Sequence, residues 1–301
     1  MKRGMCASAG SWPKNRNLRF NRMVKTIRLS AMTGTSDPPQ KHLTPPKKYK
    51  HHHAVYITMS IHFLSFAAGT PGYHNTLRRI CYQASTFELF DKITGETESF
   101  LQSDTTFWTQ HRHHIESNKR GYGYWVWKPY VAKHYMETDM SDGDVLVFAD
   151  AGCTLNVRGR PRMLDYINLV KNHPSGILSF QMNHHLEQEW TKMDLIRYLA
   201  AEPLMSTGQV MSGIWLVRKC PQTIALMERW YSTCCQYHLI DDSPSIIQNH
   251  PSFVEHRHDQ SVWSILVKQA GSAFIHDETF FAPDWERGSM YPILETRIRN
   301  C

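Results

Sequence analysis

An acid directly follows a run of apolar residues in the stretch GDVLVFADAGCTLN, residues 143–156. The run predicts a buried strand, and its end delivers Asp150, Ala151 and Gly152 to the edge where open α/β sheets bind ligands. A carboxylate there can bind a hard divalent cation, Mg²⁺ or Mn²⁺, and leave it open to phosphate oxygens. Gly152 permits close approach of a ligand to the backbone. The alternative is that Asp150 only caps the following turn, as acids often do.

A second stretch, FAAGTPGYHNTLRR at residues 66–79, places two glycines and a proline between a predicted strand and a predicted helix. Small residues permit backbone contact with a nucleotide, and the N-terminus of a helix favours anionic groups. The candidate nucleotide-binding residues are Gly69, Thr70, Pro71, Gly72 and Tyr73. Arg78 and Arg79 either reach a phosphate or face solvent. The stretch is neither GxGxxG nor a P-loop, so an ordinary β–α turn is the alternative interpretation.

Aromatic residues are concentrated in RGYGYWVWKPY, residues 120–130, together with two glycines and a Lys-Pro step. Aromatic faces bind sugar rings or bases, and a lysine at the start of a helix can neutralise phosphate. Trp127 and Lys128 are therefore candidates for a binding wall. An aromatic stripe is equally typical of a core, and that interpretation stays open here.

An acid also precedes a predicted helix in EHRHDQSVWSIL, residues 255–266. His256 and His258 lack a second zinc ligand at helical spacing, and there is no HExxH, so a zinc hydrolase is unsupported. Asp259 either caps the helix or acts as a general base in the proton traffic of an acceptor hydroxyl.

Short β-type runs alternate with helical patterns from residue 57 onward. Strands are predicted at 61–69, 86–90, 145–150, 176–181, 213–219 and 273–276. Helices are predicted at 105–117, 128–138, 161–171, 189–201 and 259–269, and two more begin near Thr70 and at Pro221. This alternation predicts an α/β sheet covered by helices on both faces.

The basic charge of the chain is confined to its beginning. The net charge is +7 over 301 residues, but residues 1–50 hold 12 Lys and Arg with one acid. The remaining 251 residues hold 22 basic and 26 acidic side chains. We therefore predict a basic flexible tail at residues 1–55 and a folded domain at residues 56–301. The folded part is not expected to bind nucleic acid.

Cysteine usage and hydropathy indicate a protein of a reducing compartment, the cytoplasm. The seven cysteines are odd in number, contain no CxxC and are irregularly spaced, and no Asn-x-Ser/Thr sequon is present. The apolar segment AVYITMSIHFLSFAA, residues 54–68, imitates a signal anchor. It is only 15 residues long and contains four polar residues, whereas a spanning helix needs about 20 mostly apolar residues. No integral membrane anchor is expected.

Five motifs in this order resemble those of GT-A type nucleotide-sugar glycosyltransferases: FAAGTPGYHNTLRR, GYGYWVWKPY, GDVLVFADAGCTLN, MSGIWLVRK and HRHDQSVWSIL. Similar sequences occur in bacterial polysaccharide loci and in large DNA viruses, including chlorella viruses that glycosylate their own capsid protein. The resemblance spans roughly residues 57–290. It implies an α/β, GT-A-like (Rossmann-like) fold: a central, mostly parallel sheet flanked by helices, with a nucleotide half and an acceptor half.

The resemblance also implies roles for individual residues. Asp150 matches the first acid of the Asp-x-Asp metal motif, but Gly152 stands where the second acid is expected. A divalent cation, Mn²⁺ or Mg²⁺, would then be held by Asp150, the diphosphate and a further ligand such as His276; weak or absent metal use is the alternative. Residues 69–73 match the nucleotide-binding end of the first strand. Lys128 lies where a basic group near the diphosphate is expected, and Asp259 where an acceptor-side acid is expected.

The implied activity is transfer of a sugar from a nucleotide diphosphate sugar to a hydroxyl of a glycan acceptor, such as a viral capsid or surface glycan. UDP is the expected nucleotide, with xylose one candidate sugar, and the host cytoplasm is the expected location if the protein is viral. Lys128 and the cation would stabilise charge on the leaving group. In an inverting enzyme Asp259 would remove the acceptor proton; in a retaining enzyme it would position the acceptor. A sugar-nucleotide hydrolase and a non-catalytic carbohydrate- or nucleotide-binding module are the alternatives, and Gly152 favours the latter.

Overall fold

The computed structural model describes residues 59–300, and the predicted basic tail lies outside this range. Six strands form the central sheet in the order β2-β1-β3-β6-β5-β7. They are β1 (Ile61–Ala67), β2 (Lys92–Thr97), β3 (Val145–Ala149), β5 (Ile177–Leu186), β6 (Gly208–Arg218) and β7 (Ala273–His276). Two short strands, β4 (Thr154–Leu155) and β8 (Ile293–Leu294), pair with each other in antiparallel orientation.

One to four α-helices lie between successive strands of the central sheet. They are α1 (Pro71–Ser85), α2 (Glu98–Ser103), α3 (Thr105–Ser117), α4 (Gly121–Tyr124), α5 (Trp127–Asp139), α6 (Arg160–Asn172), α7 (Glu187–Trp190), α8 (Met193–Tyr198), α9 (Pro221–Cys234) and α10 (Asp259–Gln269). Buried side chains of α1 and α6 share one core with the sheet, while those of α5, α9 and α10 share the other. The sheet is therefore covered by helices on both faces.

Strand direction decides where the ends of the strands meet. β1 is parallel to β2 and β3, β5 is parallel to β7, and β6 is antiparallel to both β3 and β5. Only β6 runs against the others, so the carboxyl ends of the remaining five strands lie at one edge. The prediction of an α/β fold with a mostly parallel central sheet flanked by helices is confirmed.

Two predicted elements are placed differently. The second strand lies at Lys92–Thr97 and not at residues 86–90, where Glu88 has a φ of +50° that an extended strand excludes. Phe87 and Leu89 are still buried, but they reach the core from a loop. The helix predicted at residues 189–201 is instead two short helices, α7 and α8, because Thr191 between them is extended.

Two further findings concern membrane and thiol chemistry. Among residues 59–300, no helix has both the length and the apolar character needed to cross a bilayer. Five cysteines lie in this range, and all are free thiols: Cys81, Cys153, Cys220, Cys234 and Cys235.

Candidate active site

Side-chain alternation along β3 aims Asp150 at the helices α5 and α10. Leu146 and Phe148 pack in the core on that face, whereas Val145, Val147 and Ala149 pack against α1 and α6. Successive residues of a strand point to opposite faces. Asp150 directly follows Ala149, so its side chain points to the same face as Phe148.

Lys128 of α5 lies between two aspartates. Its Nζ is 3.0 Å from Oδ1 and 3.3 Å from Oδ2 of Asp150, and 3.5 Å from Oδ2 of Asp259. Only 2% of the Lys128 side chain is exposed. Burial opposes its charge, but the two carboxylates outweigh burial and raise the pKa of the ammonium above its ordinary value. Lys128 is therefore a buried cation that both acids share.

Asp259, the first residue of α10, is the buried acid of this cluster. Its side chain is 5% exposed, and its Oδ2 accepts a hydrogen bond of 2.9 Å from the hydroxyl of Ser212 on β6. Burial raises the pKa of Asp259 to about 6; the Lys128 ammonium opposes this rise and the Asp150 carboxylate adds to it. Asp259 can therefore gain or lose a proton close to neutral pH.

Asp150 is the exposed end of the cluster, with 38% of its side chain accessible. Burial raises the pKa of its carboxyl, and the Lys128 ammonium opposes this rise. A Cβ atom at Gly213 would lie only 2.9 Å from Oδ2 of Asp150, and the Gly213 carbonyl accepts a 2.8 Å hydrogen bond from the Asp150 amide. Glycine at position 213 therefore makes room for this carboxylate.

Arg79 holds the turn that follows Asp150. Its Nη2 donates to the carbonyl oxygens of Ala151 (3.0 Å) and Cys153 (2.8 Å), and its Nη1 donates to Oγ1 of Thr154 (3.2 Å). The sequence offered Arg79 as a phosphate ligand or a solvent-facing side chain; in the structure it binds these backbone carbonyls, a role that the sequence did not indicate. Arg78 is exposed and donates to Asn75 on its own helix.

The predicted nucleotide-binding loop lies beside this turn, because β1 and β3 are adjacent and parallel. Helix α1 begins at Pro71, and Oγ1 of its N-cap Thr70 accepts a 3.5 Å hydrogen bond from the amide of Tyr73. Gly69 has a φ of +104°, which favours glycine. Residues 69–73 thus bring a helix N-terminus to the edge that carries Asp150.

A carboxyl-terminal segment, residues 296–300, crosses both loops. The amide of Ile298 and the hydroxyl of Thr296 both donate to the Gly152 carbonyl, at 2.9 and 3.0 Å. A Cβ at Gly152 would lie 3.2 Å from the Ile298 carbonyl, and Asn300 lies against Gly72. The absence of a side chain at Gly152 therefore accommodates the protein's own backbone, a contact that the sequence did not indicate.

The two glycines of residues 120–130 lie in a turn of left-handed backbone conformation. Five consecutive residues have positive φ angles between +52° and +83°: Gly121, Tyr122, Gly123, Tyr124 and Trp125. Trp127 stacks on Phe66 with ring centres 4.0 Å apart, is 5% exposed, and donates from Nε1 to the Gly121 carbonyl. The core interpretation therefore accounts for Trp127, and its predicted contact with a ligand remains a prediction.

The residues present do not fit a divalent-cation centre built from Asp150 and His276. His276 ends β7, which β6 and β5 separate from β3; at about 4.8 Å per strand this is roughly 14 Å. Within residues 59–300, no group of three or more His, Cys, Asp and Glu side chains could hold a metal ion. Both oxygens of Asp150 already contact the Lys128 ammonium. Metal binding by this pair stays a prediction.

Comparison with known proteins gives structural likeness only. No protein-family model and no curated protein matches the chain. A glycosyltransferase involved in the glycosylation of the major capsid of PBCV-1 is similar in structure, with a TM-score of 0.42, 11% identity and coverage of 78% of this chain and 91% of that one. Mouse xyloside xylosyltransferase 1 in its apo form is also similar in structure, with a TM-score of 0.41 and 12% identity. The match covers 79% of this chain and 96% of that one.

Proposed function

We propose that this chain is a glycosyltransferase that moves a sugar from a nucleotide diphosphate sugar, a UDP-sugar, to a hydroxyl of a glycan. The observation that carries the proposal is the cluster of Lys128, Asp150 and Asp259 at the carboxyl edge of the sheet, beside the N-terminus of α1. This edge is where open α/β sheets bind ligands. The resemblance of the five sequence motifs supports the same activity.

The roles proposed for these residues follow from their exposure. The N-terminus of α1 favours the diphosphate, and Arg299 is an exposed arginine on the segment that crosses this loop. Asp150 accepts hydrogen bonds from hydroxyls of the donor, because it is the exposed acid of the cluster. Lys128 keeps Asp150 ionised, and Asp259 fixes Lys128. With 2% and 5% of their side chains exposed, Lys128 and Asp259 are positioning residues in this conformation.

No step of this proposal passes through a metal ion, because the donor groups around Asp150 do not fit one. Charge on the departing diphosphate is instead balanced by the helix N-terminus and by arginine. The free thiols of the described cysteines fit the proposed cytoplasmic location.

Thermal unfolding with UDP, GDP and other nucleotides tests the proposal. A nucleotide at about 100 times its Kd stabilises the folded state by about 2.7 kcal/mol, and we expect Asp150→Ala to abolish this effect. Asp142→Ala is the control, because Asp142 is an exposed acid before β3, at the opposite end of that strand. Nucleotide release from the matching donor should accelerate when acceptor glycan is added.

Three outcomes would contradict the proposal. Hydrolysis of the donor at a rate that ignores acceptor would favour the hydrolase. Binding without turnover that survives Asp150→Ala would favour a binding module. Failure of every nucleotide and nucleotide sugar to stabilise the protein would remove the donor site altogether.

A further inference from the structure

A cavity of about 480 Å³ opens at the carboxyl end of β7. It is lined by side chains that include His276, Asp277, Phe280, Phe281, Arg287 and Tyr291. This volume falls within the range of about 300–1,000 Å³ that is typical of small-molecule sites. Because β7 shares its direction with β3, the cavity opens at the same edge of the sheet as Asp150.

Aromatic side chains provide the apolar part of the lining. Phe280 is 43% exposed, and Trp285 supports it edge-on with ring centres 5.6 Å apart. Phe281 and Tyr291 stack with ring centres 5.2 Å apart. Rings that are fixed in this way can offer a face to the C–H groups of a sugar at little further entropic cost.

Polar groups in the same lining are free to bind a ligand. The side chains of His276 and Arg287 are exposed, and neither forms a hydrogen bond or ion pair with another residue in the range 59–300. Asp277 uses its Oδ1 to accept from the amide and hydroxyl of Thr279, at 2.9 and 2.7 Å. Donors and an acceptor thus stand beside the aromatic rings, as recognition of hydroxyl groups requires.

The charges of the lining are balanced. Two cations, Arg162 and Arg287, face two acids, Asp277 and Glu278, and Arg162 is already paired with Glu278 at 2.8 Å. A polyanion such as a nucleotide would meet both carboxylates. The balance therefore favours a neutral, hydroxyl-rich ligand over a phosphate-bearing one.

Arg297 connects this cavity to the candidate active site. Its guanidinium carbon lies 5.0 Å from the centre of the Phe280 ring. Its Cα is 3.5 Å from the position that a Cβ of Gly152 would take. One residue therefore spans the distance from the cavity to the turn that follows Asp150.

We propose that the cavity is the acceptor subsite and that it binds a neutral sugar residue of the glycan. This inference rests on the proposed glycosyltransferase function, because it takes the second ligand of the protein to be an acceptor. A neutral saccharide is favoured by the aromatic lining, the unengaged polar groups and the charge balance. The position of Arg297 between the cavity and the turn after Asp150 favours the acceptor role.

Binding of simple glycosides to the full-length protein tests the proposal. The probes are the methyl glycosides of glucose, galactose, mannose and xylose at millimolar concentrations, and the reporter is the indole N–H resonance of Trp285, assigned with Trp285→Phe. We expect at least one glycoside to shift this resonance. Phe280→Ala should raise its Kd at least about tenfold, which corresponds to about 1.4 kcal/mol. Phe274→Ala is the matched control and should leave the Kd unchanged, because Phe274 is an exposed aromatic on β7 outside the lining.

The outcomes separate this inference from the proposed function. UDP stabilisation is measured on the same samples and reports on the donor site. If UDP binds but no glycoside shifts the Trp285 resonance, or if Phe280→Ala binds glycosides as the unsubstituted protein does, the acceptor subsite is wrong and the donor site stands. A shift caused by an apolar dye but by no glycoside also overturns the inference. If glycosides bind at Phe280 while no nucleotide binds, the cavity is a saccharide site but the transferase proposal fails.

Discussion

Replacing Asp259 by asparagine should stabilise the protein at neutral pH. The folded state raises the pKa of this carboxyl from 3.8 to about 6, which means that ionising it costs free energy in the folded state. The difference corresponds to about 3 kcal/mol at about 1.36 kcal/mol per pH unit. Asparagine resembles the neutral acid and can accept the same hydrogen bond from Ser212, so the variant avoids this cost.

The pH dependence gives the sign and the window of the effect. Because the pKa is raised on folding, the folded state binds more protons between the two pKa values, and stability is lost as pH rises through them. The advantage of Asp259→Asn should therefore be about 0.5 kcal/mol at pH 4, about 1.5 kcal/mol at pH 5 and about 3 kcal/mol at pH 7. Above pH 7 the advantage should stay constant.

Urea unfolding followed by tryptophan fluorescence across this pH range measures the effect. Asp142→Asn is the control, because it neutralises an exposed acid and should change stability little. The reasoning is refuted if Asp259→Asn is less stable than the unsubstituted protein at pH 7. It is also refuted if the difference between the two does not vary with pH.

Three further predictions address the same site. Arg79→Gln should lower kcat/KM by about tenfold to a hundredfold, because it releases the turn after Asp150. Arg79→Lys should have an intermediate kcat/KM, and Arg78→Gln should leave kcat/KM unchanged. Equal losses for the two glutamine variants would contradict this prediction. Lys128→Met should destabilise the protein by about 3–5 kcal/mol in urea unfolding, because it leaves the buried carboxylate of Asp259 and the more exposed carboxylate of Asp150 without their cation. Adding Asp259→Asn should recover part of the loss, and a fully stable Lys128→Met would contradict the prediction. The value of kcat/KM should decrease as pH falls below about 6, because Asp259 takes up a proton. If kcat/KM of Asp259→Asn decreases over the same pH range, a different group is responsible and the prediction is contradicted.

The strands of the core could be predicted because their patterns are strong and local. β1 and β3 are runs of large apolar residues that end at glycine or acid, and the structure places them within two residues of the prediction. β2 was missed because KITGET is short and polar, as an edge strand paired on one side is. The helix predicted at residues 189–201 has a helical apolar period, but the extended backbone at Thr191 divides it.

Lys128, Asp150 and Asp259 could each be singled out from the sequence, but their contacts with one another could not be predicted. Asp150 and Asp259 were each identified from their place at the end of a strand and before a helix. Their common contact with Lys128 joins positions 22 and 131 residues apart along the chain, and no local pattern encodes such a distance. The support that Arg79 gives to Ala151 depends on the packing of α1 against this edge, which the sequence alone does not determine.

Strained backbone lies on both sides of the contact between Lys128 and Asp259. Tyr124 and Trp125 have left-handed φ angles just before Lys128, and His258 has a φ of +57° directly before Asp259. The rings of Tyr124 and Trp125 stack on His258, with centres 5.1 and 5.4 Å apart. Each non-glycine residue in such a conformation costs roughly 1–2 kcal/mol.

This strain and the charges of the cluster lead to the same conclusion. Here one buried lysine, Lys128, contacts two acids. The pKa of Asp259 is raised to about 6, and Asp150 faces the edge of the sheet where ligands bind. Residues that lower stability in this way are retained where they act on a ligand. This is consistent with the functional role that we propose for the cluster, and that proposal predicts that the stability gained by Asp259→Asn is accompanied by a loss of activity.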